Sequence, residues 1–261
     1  MARHRKNQEQ EMIHSEIHND IAVLRMEHGK VNAIDIEFIY ELNERLDDVA
    51  SSSVRSLILT GSGNAFSAGV DLFRILKEDS GYIERFLPLM SDVFEKLFVF
   101  PKPVIAATNG HAIAGGCILH CSCDYRLMAN GNGRIGVPEL MVGVPFPTVP
   151  LEILRFATPA PFLQQLVYTG ATFSASESLQ RGLTDEVVAP EHLMERAQEM
   201  ATMLGSIVGK SFSVVKEMLR RPAMNRAKSA RNQEEILEAW ISPEIHAVIR
   251  DYLDKTIGKK K

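Results

Sequence analysis

Apolar positions recur with two different periods along this chain, and the balance between them changes past its middle. In the first part, short runs of strand type alternate with stretches of helical spacing. Ser15–Arg25 reads as two short strands on either side of Asn19-Asp20, a pair suited to a hairpin turn. Ile39, Leu42, Leu46 and Val49 fall at three- and four-residue intervals, which predicts a helix over Ile36–Val49 with Asp35 as its N-cap. Val54–Thr60 is a run of buried-strand type, ended by Gly61-Ser62-Gly63. Ile83–Phe98 reads as a helix stopped ahead of Pro101 and Pro103. Val104–Thr108 follows as a short apolar strand, Gly116–Cys121 as a helix and Tyr125–Ala129 as another strand.

After about Pro147 the helical period takes over. Ala160–Tyr168, Ser174–Gln180, His192–Leu204, Ser211–Leu219, Ala227–Trp240 and Ile245–Ile257 all read as helical. Alternation followed by helices alone predicts an α/β layered fold. Its sheet-bearing core is expected over 1–190, with 1–12 a flexible tail, and a helical region over 191–261. Short helices that cannot bury both faces alone commonly complete a core against another subunit.

Two of the strand-to-helix junctions are rich in glycine and lie about 45 residues apart. The first is Ala65-Phe66-Ser67-Ala68-Gly69-Val70-Asp71-Leu72, the second Asn109-Gly110-His111-Ala112-Ile113-Ala114-Gly115-Gly116-Cys117. Such junctions leave backbone N–H groups without partners, free to bind an anionic oxygen. Two of them can aim two donors at one point, which is what an oxyanion hole requires. An acidic residue follows, Glu139, within Ile135-Gly136-Val137-Pro138-Glu139-Leu140. It has two readings: a first-turn acid that complements a helix dipole, or a base beside the two junctions.

Composition narrows the field. With 29 basic and 33 acidic side chains and a net charge of −4, the chain gives no reason to expect nucleic acid or anionic membrane as a general partner. No apolar run approaches the ~20 residues that span a bilayer. Met1–Gln8 is basic without a following apolar stretch, and Gly258–Lys261 matches no retention or peroxisomal address, so a cytoplasmic location is expected. Cys117, Cys121 and Cys123 are odd in number and clustered, which argues against a disulfide framework. Their spacing, even with His120 added, does not match a zinc site, so no metal is expected and small thiols packing a helix are the better reading.

Other residues read as structural. Asp71 caps a helix start, and His111 and His120 are packed rings bonded to nearby groups. Ser67 lacks a nucleophile elbow, and neither glycine segment is a phosphate-binding loop. Trp240 is by default the anchor of an amphipathic helix, with an acyl pocket or a subunit interface as the alternatives.

Taken in order, the motifs resemble the crotonase (enoyl-CoA hydratase/isomerase) superfamily from about Ile13 to Ile257. They are Val31-Asn32-Ala33-Ile34, Leu57–Gly61, Phe66–Leu72, Lys102–Ala107, Asn109–Ala112 with Ala114–Cys117, Cys123-Asp124-Tyr125-Arg126, Pro138-Glu139 and Gly182–Val188. The resemblance implies a ββα spiral core with a C-terminal helical trimerisation region, as a homotrimer or hexamer. It implies acyl-CoA thioester substrates and no separate cofactor, coenzyme A being part of the substrate. It further implies the backbone N–H groups of Val70 and Gly115 as oxyanion donors, and places Ala33, Ala68, Asp71 and Leu72 near the adenine end of coenzyme A.

Family hydratases resemble one another in carrying two glutamates, one just after the second glycine turn and one at the position of Glu139. Water addition needs such a pair. Here the first position holds Ile118, which transfers no proton and makes the substrate site less polar. A single carboxylate beside an oxyanion hole suits a proton shift, so the pattern is most similar to the Δ3,Δ2-enoyl-CoA isomerase branch. The apolar stretch Leu140–Val149 is expected to wall the acyl site and to raise the proton affinity of Glu139. The rivals are a hydratase or another crotonase reaction such as thioester hydrolysis, and a non-catalytic acyl-CoA-binding protein of the same fold. RNA binding through the early helix is disfavoured by its Glu37, Glu41, Glu44, Asp47 and Asp48.

Overall fold

The computed structural model describes residues 11–257. Strands β1 (Ile13–His18) and β2 (Ile21–Met26) form the predicted hairpin. Asn19 and Asp20 at its tip have φ of +48° and +62°, the left-handed pair that a two-residue turn needs to follow strand twist. Most of the tail expected over 1–12 lies outside the described residues. Met12 and Ile13 donate their N–H groups to the Glu41 carboxylate, so the chain is already held there.

The order continues through β3 (Ala33–Ile34), α1 (Ile36–Ser51), β4 (Ser56–Gly61), β5 (Ala65–Ser67), β6 (Gly69–Val70), α2 (Leu72–Lys77), α3 (Ser80–Phe98), β7 (Val104–Thr108) and β8 (His111–Ile113). Next come α4 (Gly115–Ser122), β9 (Tyr125–Ala129), β10 (Ile135–Gly136), a 3-10 turn (Glu139–Val142), α5 (Thr148–Ala157), α6 (Ala160–Thr169), β11 (Thr172–Phe173), α7 (Ala175–Gln180) and β12 (Glu186–Val188). Four helices close the chain: α8 (Leu193–Gly205), α9 (Gly209–Ser229), α10 (Gln233–Ile241) and α11 (Pro243–Ile257). Asp35 caps α1 as its position predicts, its carboxylate accepting the Phe38 N–H at 2.8 Å.

The main sheet runs β1-β2-β4-β7-β9-β12 and is parallel beyond the hairpin. Parallel central strands are covered on both faces, and here alternate residues serve two cores. Leu57, Leu59, Val104 and Ala106 face the larger core with α1, α3 and α4. Ile58, Ile105, Ala107 and Leu127 face Leu193, Ala197, Met200 and Ala201 of α8, whose three- and four-residue spacing fits that flat surface. A second sheet, β11-β10-β8-β5, and the short pair β3-β6 stand beside the main one and carry the glycine junctions. This is an α/β core with a set of C-terminal helices, as the crotonase ββα architecture requires.

The helices differ from the sequence expectation at three places. α3 starts at Ser80, not Ile83, because Asp79 caps it by accepting the Tyr82 N–H at 3.0 Å. α5 was not anticipated among the prolines of Pro145–Pro150. The expected pair Ser211–Leu219 and Ala227–Trp240 is divided elsewhere: α9 runs unbroken to Ser229, and the break falls at residues 230–232. Arg220-Arg221-Pro222 looks like a helix end, yet Arg220 is buried and bonds Asp124 at 2.9 Å, the Ser122 carbonyl at 2.7 Å and the Cys123 carbonyl at 3.0 Å. Lys216, one turn earlier, reaches Asp124 at 2.7 Å. These buried contacts hold α9 to the core through a proline that removes one helical hydrogen bond.

Candidate active site

Glu139 owes its position to a tight turn. β10 pairs with β8 and β11, then Val137-Pro138 leads into the 3-10 turn that Glu139 opens. The Met141 N–H donates to the Pro138 carbonyl at 2.8 Å. Gly143 closes the turn at φ +82°, where a Cβ would stand 3.3 Å from Ile245 and Val248 of α11. The turn is thus clamped from outside by a C-terminal helix. Glu139 as a residue is half-buried, but its Oε2 is buried and has no hydrogen-bond partner among the described residues. Burial pushes its pKa up to about 8, opposed by its own backbone N–H.

The two glycine junctions are packed directly on each other. Gly69 has φ +80°, and a Cβ there would be 2.7 Å from both the Gly115 nitrogen and the Ile113 carbonyl oxygen. At Gly116 a Cβ would be 2.1 Å from the Ser67 carbonyl oxygen. Only glycine permits this approach. On β6, the Asp71 N–H donates to the Ile34 carbonyl at 3.0 Å. Successive backbone groups of a strand face opposite sides, so the Val70 N–H faces away from β3. Gly115 is the first residue of α4, and the first four N–H groups of a helix lack an intrahelical acceptor. Before it, Ala114 has φ +52° and ψ −123°, a conformation disfavoured for a residue with a side chain, at a cost of about 1–3 kcal/mol.

Val70, Gly115 and Glu139 line one cavity of about 650 Å³, its open mouth included. Ala68 and Leu72 flank Val70 on its wall, and Ile118 stands one helical turn beyond Gly115. Val142, Val144, Phe146 and Pro147 supply another wall, as expected of the apolar stretch after Glu139. Met90 and Phe94 come from α3, Trp240 from α10 and Tyr252 from α11. Among the described residues, Glu139 is the one carboxylate in this lining. The cavity lining therefore holds a carboxyl, residues of both glycine junctions and a set of apolar side chains.

Ala33 and Asp71 lie outside this lining. Ala33 pairs with Gly69 in the β3-β6 ribbon, and the Asp71 carboxylate caps α2, accepting the Arg74 N–H at 3.0 Å. The Ser67 hydroxyl donates to the Asn32 carbonyl at 2.7 Å. His111 Nδ1 accepts the Arg134 N–H at 3.2 Å. His120 is fully buried between the Thr108 hydroxyl at 2.7 Å and the Leu183 carbonyl at 3.1 Å. Its Nε2 must donate to that carbonyl, and burial pushes its pKa down to about 3, so the ring is neutral. Cys117, Cys121 and Cys123 are buried free thiols. Trp240 is more than a helix anchor: it lines the cavity, and its indole N–H donates to the Pro145 carbonyl at 3.0 Å. Sequence reasoning missed Met90, Phe94 and Tyr252, whose apolar helical spacing does not distinguish a cavity wall from core.

The enoyl-CoA hydratase/isomerase family pattern matches residues 16–256. A short-chain-enoyl-CoA hydratase of Clostridium acetobutylicum is 32% identical over 77% of this chain and 78% of its own. The mitochondrial enoyl-CoA delta isomerase 1 of Rattus norvegicus is 28% identical over 92% of this chain and 85% of its own. The crystal structure of human mitochondrial delta3-delta2-enoyl-CoA isomerase superposes with a TM-score of 0.91 over 96% of this chain and 100% of its own, and at 24% identity speaks for the fold alone. Relatives of both reaction types thus align over most of the chain. On the strength of the family match and the geometry of the cavity, the chain belongs to the enoyl-CoA hydratase/isomerase family of the crotonase superfamily, whose enzymes act on acyl-CoA thioesters.

Proposed function

We propose that the chain is a Δ3,Δ2-enoyl-CoA isomerase. The observation that carries this reading is the cavity's single carboxylate, Glu139, with Ile118 buried where a second acid would stand. Glu139 in its ionised form takes a proton from C2 of a 3-enoyl thioester. The electron pair moves through the double bond system, and the dienolate charge falls on the thioester oxygen. The Val70 and Gly115 N–H groups receive that oxygen, a gain made larger by a dry, apolar site. Glu139, now protonated, returns the proton at C4 and leaves the trans-2-enoyl thioester. No water enters the reaction and no second acid is needed. A carboxyl whose pKa lies near 8 gives up and regains a proton at nearly equal cost, which suits a shuttle.

The expected homotrimeric or hexameric assembly belongs to the same proposal. Val214, Val215, Met218 and Leu219 of α9 are between 47% and 68% exposed, an apolar surface suited to a subunit contact. Light scattering tests it directly, and a monomer would count against it.

The reaction is tested with trans-3-hexenoyl-CoA, followed by the absorbance of the conjugated enoyl thioester, beside hydration of crotonyl-CoA. Fast conjugation, lost in Glu139→Gln, with little hydration is the expected result. Fast hydration would refute the isomerase assignment and return attention to the other polar groups of the cavity.

A further inference from the structure

Ser67 and Asn32 are buried polar residues that line no part of the reaction cavity, yet their hydrogen bonds converge on its first glycine junction. The Asn32 Nδ2 donates to the carbonyls of Ala65 and Phe66, at 3.1 Å each. Its Oδ1 accepts the His28 N–H at 2.8 Å. The Asn32 carbonyl accepts the Ser67 hydroxyl at 2.7 Å, and the same hydroxyl accepts the Gly69 N–H at 3.1 Å. Asn32 makes these bonds at φ +51°, a left-handed conformation in which asparagine is enriched over most other residues.

These bonds end beside the peptide that carries the Val70 N–H. Gly69, at φ +80°, has no side chain to restrict it. The Gly69–Val70 peptide is therefore held from its two sides, by the Gly69 N–H on the Ser67 hydroxyl and by the Asp71 N–H on the Ile34 carbonyl at 3.0 Å. A serine hydroxyl bonded to the N–H two residues on is a weak local motif by itself. Here it is anchored by Asn32, 35 residues away in sequence. Ser67 also bears on the second junction: a Cβ on Gly116 would stand 2.1 Å from the Ser67 carbonyl oxygen and 3.0 Å from its Cβ.

From this juxtaposition we infer that Ser67 and Asn32 are positioning residues of the reaction: they set the direction of the Val70 N–H and its spacing from the Gly115 N–H, although neither touches the substrate. The inference rests on the proposal that these two N–H groups receive the thioester oxygen, and it adds the residues that aim them. Removing the Ser67 hydroxyl breaks the link between the Asn32 carbonyl and the Gly69 N–H inside the protein, and the junction is then free to shift. A donor misplaced by about 1 Å costs on the order of a hundredfold in rate. The loss falls on the step in which charge develops on the oxygen, so it appears in kcat and not in KM.

The test compares the wild type with Ser67→Ala and Asn32→Gly. Glycine at position 32 tolerates the left-handed backbone and keeps the carbonyl that Ser67 uses, so only the carboxamide is lost. One readout is the steady-state conjugation of trans-3-hexenoyl-CoA. The other is the absorbance band of bound trans,trans-2,4-hexadienoyl-CoA, which moves to longer wavelength as hydrogen bonds polarise its thioester carbonyl. In both variants kcat is expected to fall roughly tenfold to a hundredfold with KM within about threefold of wild type. The bound dienoyl band should lose much of its shift at nearly unchanged affinity.

A role confined to stability would lower the melting temperature and leave the band and kcat of the folded protein as in the wild type, and that result would overturn the inference. If Ser67→Ala does not fold, Asn32→Gly carries the same comparison. The two readings fail separately. A wild type that shifts the dienoyl band without conjugating the hexenoyl thioester sinks the isomerase reading, and a shift lost in the variants then upholds the positioning role. Conjugation with unchanged kcat and band in the variants does the reverse. A wild type that leaves the band of the bound dienoyl thioester unmoved sinks the inference together with the oxyanion role of the two N–H groups.

Discussion

Glu139→Gln should make the protein more stable, relative to the wild type, as the pH rises. The wild-type carboxyl has a pKa of about 8 in the folded chain against 4.5 for an ordinary glutamate. Below about pH 4.5 it is protonated in both states and folding takes up no proton. Above that, the unfolded chain releases a proton that the folded chain retains, so stability falls until the folded carboxyl also ionises near pH 8. The interval from 4.5 to about 8, at about 1.4 kcal/mol per decade, amounts to about 5 kcal/mol in all and about 3 kcal/mol by pH 7. Glutamine is neutral throughout and has no such slope. Any fixed cost of burying its amide is the same at every pH, so it drops out of the comparison. Urea unfolding of both proteins at one protein concentration, from about pH 4 to about pH 8.5, gives the difference directly. The variant should gain about 3 kcal/mol on the wild type between about pH 4 and about pH 7. A difference that stays flat across this range would refute the claim that the fold holds this carboxyl desolvated.

The remaining expectations follow from the same geometry. In the free wild-type enzyme, kcat/KM for a 3-enoyl-CoA should rise with pH along a limb centred near 8, because the base must be ionised; a rate already maximal at about pH 5 would contradict this. Gly116→Ala drives a Cβ to 2.1 Å from the Ser67 carbonyl, so it should cost about 2–4 kcal/mol of stability and most of the turnover, as read by unfolding and by the conjugation assay. Ile118→Glu puts an acid one turn from Gly115 at a position only 1% exposed. It should lower the melting temperature and raise hydration of crotonyl-CoA relative to isomerisation by about tenfold or more, a change read by running the two assays side by side.

Much of the fold was legible because the elements that matter state their own period. The Asn19-Asp20 turn, the Asp35 cap and the Val104–Thr108 strand are local signals, and local chemistry satisfies each of them. The C-terminal helices were read less well because their limits depend on distant partners. Arg220 looks like the end of a helix until Asp124, far away in sequence, gives its guanidinium a buried partner. The prolines around α5 mislead in the same way: Pro150 lies in the first turn of the helix, where a missing N–H costs no helical bond.

The site divides along the same line. Its chemistry was legible because carboxylates and glycine junctions are rare enough in an apolar setting to stand out. Its walls were not, since Phe94 and Trp240 follow the same helical spacing as any core residue. The reactive groups share a further property that no single residue reveals. The Glu139 Oε2 has no hydrogen-bond partner among the described residues, Ala114 is held at φ +52°, and Gly115 opens a helix, where N–H groups lack an intrahelical acceptor. Each is a local cost, and a chain free to relax would remove all of them. What prevents relaxation is the packing on every side: Gly69 against the Gly115 nitrogen, Gly116 against the Ser67 carbonyl, and α11 against the turn that Glu139 opens. Local rules are broken here at one place, around the cavity to which the proposed isomerase reaction is assigned, which is the pattern expected where function and not stability set the sequence.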